Sequence, residues 1–338
     1  MTRAAEMGAH DGVYLQSFLG PLAAWLARDD VTEILVNRPG ELWIEVNGAP
    51  RMQRIEVPEL TVTALTRLAT QVARANHQGV SRAHPLLSGL LPGGERIQII
   101  APPATRQYLA IAIRKHVQVD LDLADYAASG AFADVRRADD GAVPAGDVML
   151  RAQLDANDIL GFFRNAVALR KNILVAGGTS TGKTTFLNAL LKDIVPHERI
   201  ITIEDTPEVS LDRPNAIGLI AVRGDNGEAN VTTEELLQAA LRMRPDRLLL
   251  GEMRGAEAFS FLRAINTGHP GSISTIHADS PRGAIEQVAL LALQARANLT
   301  RSEIIGYAQS VIDIVVQLRR DASGRRIVSE ISFEPKRR

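Results

Sequence analysis

The 338-residue sequence contains no cysteine. That excludes disulfides and thiolate zinc sites, and it fits a reducing compartment. Aromatic residues make up only 4%, which leaves few platforms on which single-stranded bases could stack. The formal net charge is −1, so no whole-molecule field draws the chain to nucleic acid. Both scarcities count against a DNA-tracking motor, and no direct sequence-specific nucleic-acid binding is expected. No apolar run approaches the ~18 residues a membrane span requires. Met1 to Gly20 has no apolar stretch behind a basic head, so a secretory signal is not expected either. What remains is 46% hydrophobic and 23% charged, the composition of a soluble globular protein long enough for two domains.

One stretch carries specific chemistry. Gly177-Gly178-Thr179-Ser180-Thr181-Gly182-Lys183-Thr184-Thr185 fits the phosphate-binding loop G-x-x-x-x-G-K-[ST] at every fixed position. Asn172 to Ala176 reads as a buried strand before it, and Thr185 to Leu191 as a helix after it. In that context Gly178, Thr179, Ser180, Thr181, Gly182 and Thr185 line the phosphates through backbone N–H groups and the helix N-terminus. Lys183 would reach the β- and γ-phosphates, and the Thr184 hydroxyl would ligate Mg²⁺. The pattern predicts an ATP-type nucleotide as ligand.

Around the loop, alternating strand and helix signals from Asp155 onward, with buried strands at Arg199 to Ile203 and Arg247 to Leu250, predict a mainly parallel α/β sheet over 155–338. Residues 1–133 read as an α+β domain with an antiparallel sheet, with strand-like runs at Glu33 to Asn37, Glu41 to Val46 and Arg96 to Ile100 and a hairpin at Asn47-Gly48. A first helix is expected near Pro21. Residues 134–154, charged and punctuated by Pro144 and Gly146, read as the interdomain linker.

Ligands of open α/β sheets sit beyond the carboxyl ends of the strands. Three predicted strands end there in Glu204-Asp205, Glu252 and His277. Glu252 follows an apolar strand and suits the orientation of an attacking water. Gly251 stands where many P-loop enzymes place a metal-binding Asp, so Mg²⁺ is left to Thr184, water and Glu204. His269 and His277 bracket one segment, and a histidine at a strand end could report a γ-phosphate. Arg96 and Arg114 lie at opposite termini of two N-terminal strands, where surface ion pairs are the plainer explanation.

These motifs together resemble the secretion-superfamily traffic ATPases, most closely the VirB-type ATPases of type IV secretion and conjugation. Ile201 to Glu208 resembles the family's acidic box, Leu241 to Arg254 its atypical Walker B segment, and Asn266 to Ala278 its histidine box. The resemblance implies a RecA-like P-loop domain behind an N-terminal domain that closes over the nucleotide. It implies an Mg-dependent, ATP-hydrolysing homo-hexameric ring, peripheral at the cytoplasmic face of the bacterial inner membrane. There the ring would work with membrane components of a secretion machine on a protein or nucleoprotein substrate. It assigns phosphate and ribose contacts to Arg96 and Arg114, the attacking water to Glu252, Mg²⁺ to Glu204, and γ-phosphate sensing to His269 and His277. The four-cysteine module of type II relatives is absent and no pilus-retraction signature follows Val311. A type II or pilus motor, and a nucleotide-gated assembly scaffold, are the alternatives.

Overall fold

Three consecutive side chains, Ile34, Leu35 and Val36, are each fully buried. A strand with one wet face would alternate instead, so this sheet must be covered on both sides. The computed structural model describes residues 15–116, 122–133, 135, 141, 143–222, 228–295 and 298–335. Its N-terminal strands are β1 (Val31–Val36), β2 (Glu41–Val46), β3 (Gln53–Glu56), β4 (Leu86–Leu90), β5 (Arg96–Ile100) and β6 (Ala110–Arg114). They form a sheet of order β3-β2-β1-β6-β5-β4, antiparallel throughout. Ile34, Val36, Leu42 and Ile44 pack with Leu65, Leu68 and Val72 of the helix Val62–Ala75. That helix is capped by the Thr61 hydroxyl, which accepts the Ala64 N–H at 3.1 Å. The opposite face, with Leu35, Trp43, Ile100 and Ala112, joins a core cluster containing Ile217, Leu219 and Leu248 of the C-terminal half.

The C-terminal strands are β7 (Ile173–Gly177), β8 (Ile200–Glu204), β9 (Ala216–Ile220), β10 (Arg247–Leu250), β11 (Ile273–Ile276), β12 (Ile314–Arg320) and β13 (Arg326–Phe333). Their order is β13-β12-β7-β11-β10-β8-β9. Every neighbouring pair is parallel except the β12–β13 hairpin. Both faces are apolar: Leu174 and Ala176 face one core, Ile173 and Val175 the other. This is the expected mixed α/β architecture, a parallel-strand sheet behind an antiparallel one.

Several boundaries differ from the pattern. Helical turns begin at 15–19, ahead of Pro21, which sits in the 3₁₀ turn Gly20–Leu22. Within 134–154, residues 134, 136–140 and 142 lie outside the described residues. From Ala145 the stretch is a helix, Ala145–Asp155. Leu150 joins the C-terminal core, and Asp147, 3% exposed, is ion-paired with Lys171. Pro144 immediately before the first turn and Gly146 within it mask the helix, although Pro at a helix start is well tolerated. The helix Ile159–Ala168 and strands β4 and β9 lacked a sequence signal strong enough to read.

The two halves meet through a polar layer as well. Fully buried Arg199 donates from Nη1 to Asn37 Oδ1 at 2.7 Å and to Asn215 Oδ1 at 2.6 Å. Burial pushes its pKa down to about 9, against the pull of Asp246. Arg244 pairs with Glu45 across the same seam.

Candidate active site

Strand β7 is buried along its whole length and ends at Gly177, where the loop must turn sharply. A Cβ on Gly177 would stand 2.5 Å from Thr181 Oγ1 and 2.9 Å from the Leu318 carbonyl. Ser180 and Gly182 complete the curl with φ of 61° and 93°. Gly182 caps the helix Lys183–Lys192, so its free N–H groups point into the cleft. Lys183 Nζ donates to the carbonyls of Gly177 at 3.0 Å and Gly178 at 3.2 Å. It lies 3.9 Å from Glu252 Oε1. Burial lowers the Lys183 pKa, while Glu252 opposes the shift.

The cleft of about 490 Å³ joins Thr179 to Thr185 with Glu204, Glu208, Glu252, Arg254 and His277. Parallel pairing of β8, β10 and β11 sets their three carboxyl ends on one edge. At Glu252, Oε2 is held by Arg254. Its Oε1 is buried without an aligned hydrogen-bond donor, although His277 Nε2 stands 2.7 Å away. Glu204 is different. Its Oε1 accepts the N–H groups of Glu208 at 2.9 Å and Val209 at 2.8 Å. Its Oε2 is shared by Arg106 and the Thr202 hydroxyl. The Thr184 hydroxyl donates to Glu208 Oε2 at 2.9 Å.

Lys183, Thr184, Glu204, Glu252 and His277 are therefore brought together. Arg96, Arg114 and His269 are not in this cleft. Antiparallel pairing sets Arg96 directly opposite Arg114, so residues at opposite strand termini share one sheet edge. They line a second cleft of about 500 Å³ with Arg170, Arg242, Arg244 and His269. His269 precedes β11 whereas His277 follows it, which puts the two histidines at opposite ends of that strand. His269 Nδ1 is 3.1 Å from the Pro245 carbonyl, and burial lowers its pKa. Glu33 borders the second cleft, 3.7 Å from Arg114 Nε. Burial pushes its pKa up to about 7 despite that cation.

Glu208, Arg254 and Arg326, which line the first cleft, were missed from sequence, as was Arg106, which holds Glu204 from behind it. Arg254 stands two residues after Glu252 at a strand end, a signal that could have been used. Glu208 was visible only as part of the acidic box. Arg106 comes from the β5–β6 loop of the N-terminal half, and only the three-dimensional register reveals it.

A family model described as "Type II/IV secretion system protein" matches residues 18–331. The type IV secretion system protein VirB11 of Bartonella quintana is 39% identical over 332 residues, covering 94% of this chain and 92% of that protein. Brucella suis VirB11 is 40% identical over 342 residues, covering 98% and 91%. The PtlH homolog of Bordetella bronchiseptica, also a type IV secretion system protein, is 41% identical over 328 residues, covering 93% and 94%. The crystal structure of the VirB11 ATPase from the Brucella suis type IV secretion system, in complex with sulphate, superposes with a TM-score of 0.89 at 38% identity. That match covers 95% of this chain and 98% of that one. With a family match spanning both halves and relatives near 40% identity along almost all of its length, the chain belongs to the type II/IV secretion system protein family.

Proposed function

We propose that the chain is an ATP-hydrolysing motor of a type IV secretion machine. One observation carries the catalytic part. Glu252 Oε1 stands 3.9 Å from Lys183 Nζ and 2.7 Å from His277 Nε2 in the cleft, a carboxylate placed beside the phosphate lysine where, with His277 turned to the nucleotide, it can orient a water against a phosphate cradled by the loop. Lys183 and the N-terminus of its helix take up the phosphate charge, and His277 stands where it can meet a γ-phosphate. The identities near 40% with VirB11 and PtlH proteins support type IV secretion over a type II or pilus machine.

The Thr184 hydroxyl and the Glu208 carboxylate, 2.9 Å apart, are hard oxygen donors of the kind Mg²⁺ accepts alongside phosphate and water. When bound with the nucleotide, Mg²⁺ supplies positive charge to the phosphate oxygens. Glu204 has both oxygens occupied by protein donors. Its role here is to shape the loop that carries Glu208, and the metal contact passes to Thr184 and Glu208.

The active form is a ring of identical chains, six by analogy with the family. Arg96, Arg114 and His269 lie at the far edge of their own chain, and in such a ring they serve the nucleotide of an adjacent copy. Among the described residues no helix is long and apolar enough to cross a membrane, so attachment to the inner membrane would be peripheral and made through membrane components of the machine. The transported protein or nucleoprotein is engaged through those same components.

The test is phosphate release by Lys183→Ala and Glu252→Gln. Lys183→Ala should abolish turnover. Glu252→Gln should bind ATP and hydrolyse it at least about 100-fold more slowly. Undiminished hydrolysis by Lys183→Ala would rule the reading out.

A further inference from the structure

The loop between β5 and β6 does more than connect two strands. Residues 104–106 lie along the outer edge of β9 as a short antiparallel strap. Ile220 N–H donates to the Ala104 carbonyl at 2.9 Å, and Arg106 N–H donates to the Gly218 carbonyl at 3.0 Å. Thr105 pairs with Leu219 between them. The strap extends the C-terminal sheet with backbone from the N-terminal domain, so the edge strand is covered by its own chain. Gly218 leaves the space that the Arg106 side chain crosses. A Cβ there would come within 2.4 Å of Arg106 Nε.

The crossing brings Arg106 to Glu204, which lines the nucleotide cleft. Its Nη2 meets Glu204 Oε2, with the Glu204 side chain 3% and the Arg106 side chain 24% exposed. Arg106 Nε is buried without a partner among the described residues, which leaves Glu204 as the guanidinium's charged anchor. A buried carboxylate held by an arginine on one side and two backbone N–H groups on the other has little freedom to move. From Glu204 the connections run on. The two N–H groups belong to Glu208 and Val209, and the Glu208 carboxylate accepts from Thr184 in the phosphate loop.

We infer that Arg106 is a positioning residue of the hydrolytic site: by docking its strap on β9, the N-terminal domain fixes Glu204, and through it the Glu208 carboxylate that faces Thr184. Domain docking and the geometry of the metal-facing carboxylate are then one event. Arg106 contacts no residue of the phosphate loop, so its effect is felt on the Mg²⁺ side and not in the grip on the nucleotide. The inference rests on the ATPase reading above.

The experiment uses the full chain and compares wild type with Arg106→Gln, Arg106→Lys, Gly218→Ala and the Arg106→Gln/Gly218→Ala pair. Turnover is measured against ATP and Mg²⁺ separately, and ADP binding is measured with and without Mg²⁺. Losing an outer-shell partner of a metal site typically costs 10–100-fold in metal affinity or activity, so Arg106→Gln should raise the half-saturating Mg²⁺ concentration about 10-fold and lower kcat comparably. KM for ATP at saturating Mg²⁺ and ADP binding without Mg²⁺ should stay at wild-type values, which also shows that the variant is folded. Arg106→Lys should recover part of the loss. Gly218→Ala, outside the site, should reproduce it by displacing the guanidinium. The double variant should be no worse than Arg106→Gln alone.

An unchanged Mg²⁺ requirement in Arg106→Gln overturns the inference, whether kcat is retained or falls. A silent Gly218→Ala overturns it too. Wild type no more active than Lys183→Ala would instead defeat the ATPase reading itself.

Discussion

Glu33 and Glu252 are both carboxylates beside cations, yet they lie in different surroundings. Glu33 is 6% exposed, and burial outweighs Arg114, so its pKa rises from the ordinary 4.5 to about 7. A raised carboxyl pKa means the folded chain holds its proton more tightly than the unfolded chain. The stability this contributes is full below about 4.5 and is lost as pH climbs toward about 7. At 1.36 kcal/mol per pH unit the cost above that range is about 3 kcal/mol. Glu33→Gln should therefore leave stability nearly unchanged near pH 4.5 and raise it by about 1–3 kcal/mol at pH 8. Denaturant unfolding at the two pH values checks this, and a loss of stability at pH 8 would contradict it. Burial of this kind left no trace in the sequence. Glu33 looked like the polar start of a strand, and only the pairing of β1 with β6 buries it beside Arg114. Lys183 and Glu252 were legible because a loop motif and a strand end fix their positions locally.

At the scale of elements, the phosphate loop is tightly constrained backbone at Gly177. Gly177→Ala would push a methyl carbon against Thr181 Oγ1 and the Leu318 carbonyl of β12, and the backbone oxygen cannot rotate away. Overpacking at such a point costs roughly 1–3 kcal/mol. The variant should be less stable by that amount and bind ATP at least about tenfold more weakly as the loop is displaced. Unfolding and nucleotide titration read the two effects, and wild-type values in both would contradict the geometry. Strands β2, β5 and β10 match their sequence patterns to the residue, and β7 and β8 nearly so, because apolar runs bounded by polar ends are unambiguous. Strand β9 did not emerge from its pattern. Its Gly218 interrupts the apolar run, and that glycine is there for Arg106. The helix Ala145–Asp155 was lost behind Pro144 for a similar reason: a residue placed for a local turn obscured the element that follows it.

For the molecule as a whole, the N-terminal sheet is covered by its own helix on one face and by the C-terminal domain on the other. The β5–β6 loop reaches the nucleotide cleft at one end of that sheet. At the other end, Arg96 and Arg114 sit on the edge beside His269, away from the phosphate loop of their own chain. In the proposed ring, one end would act within the chain and the other between chains. The antiparallel register that joins Arg96 to Arg114 lies beyond local pattern, as does the distance of both from Lys183. On that proposal the nucleotide site is completed by a neighbouring copy.

The direct test is ATP turnover per chain over a range of protein concentrations, with Glu252→Gln as the blank and Arg114→Ala in parallel. Turnover per chain should rise with concentration as copies assemble, while Arg114→Ala should remain near the dilute wild-type level throughout. Turnover well above the blank that is flat with concentration, and equal in Arg114→Ala, would contradict a site completed by assembly. No turnover above the blank at any concentration would contradict the motor itself.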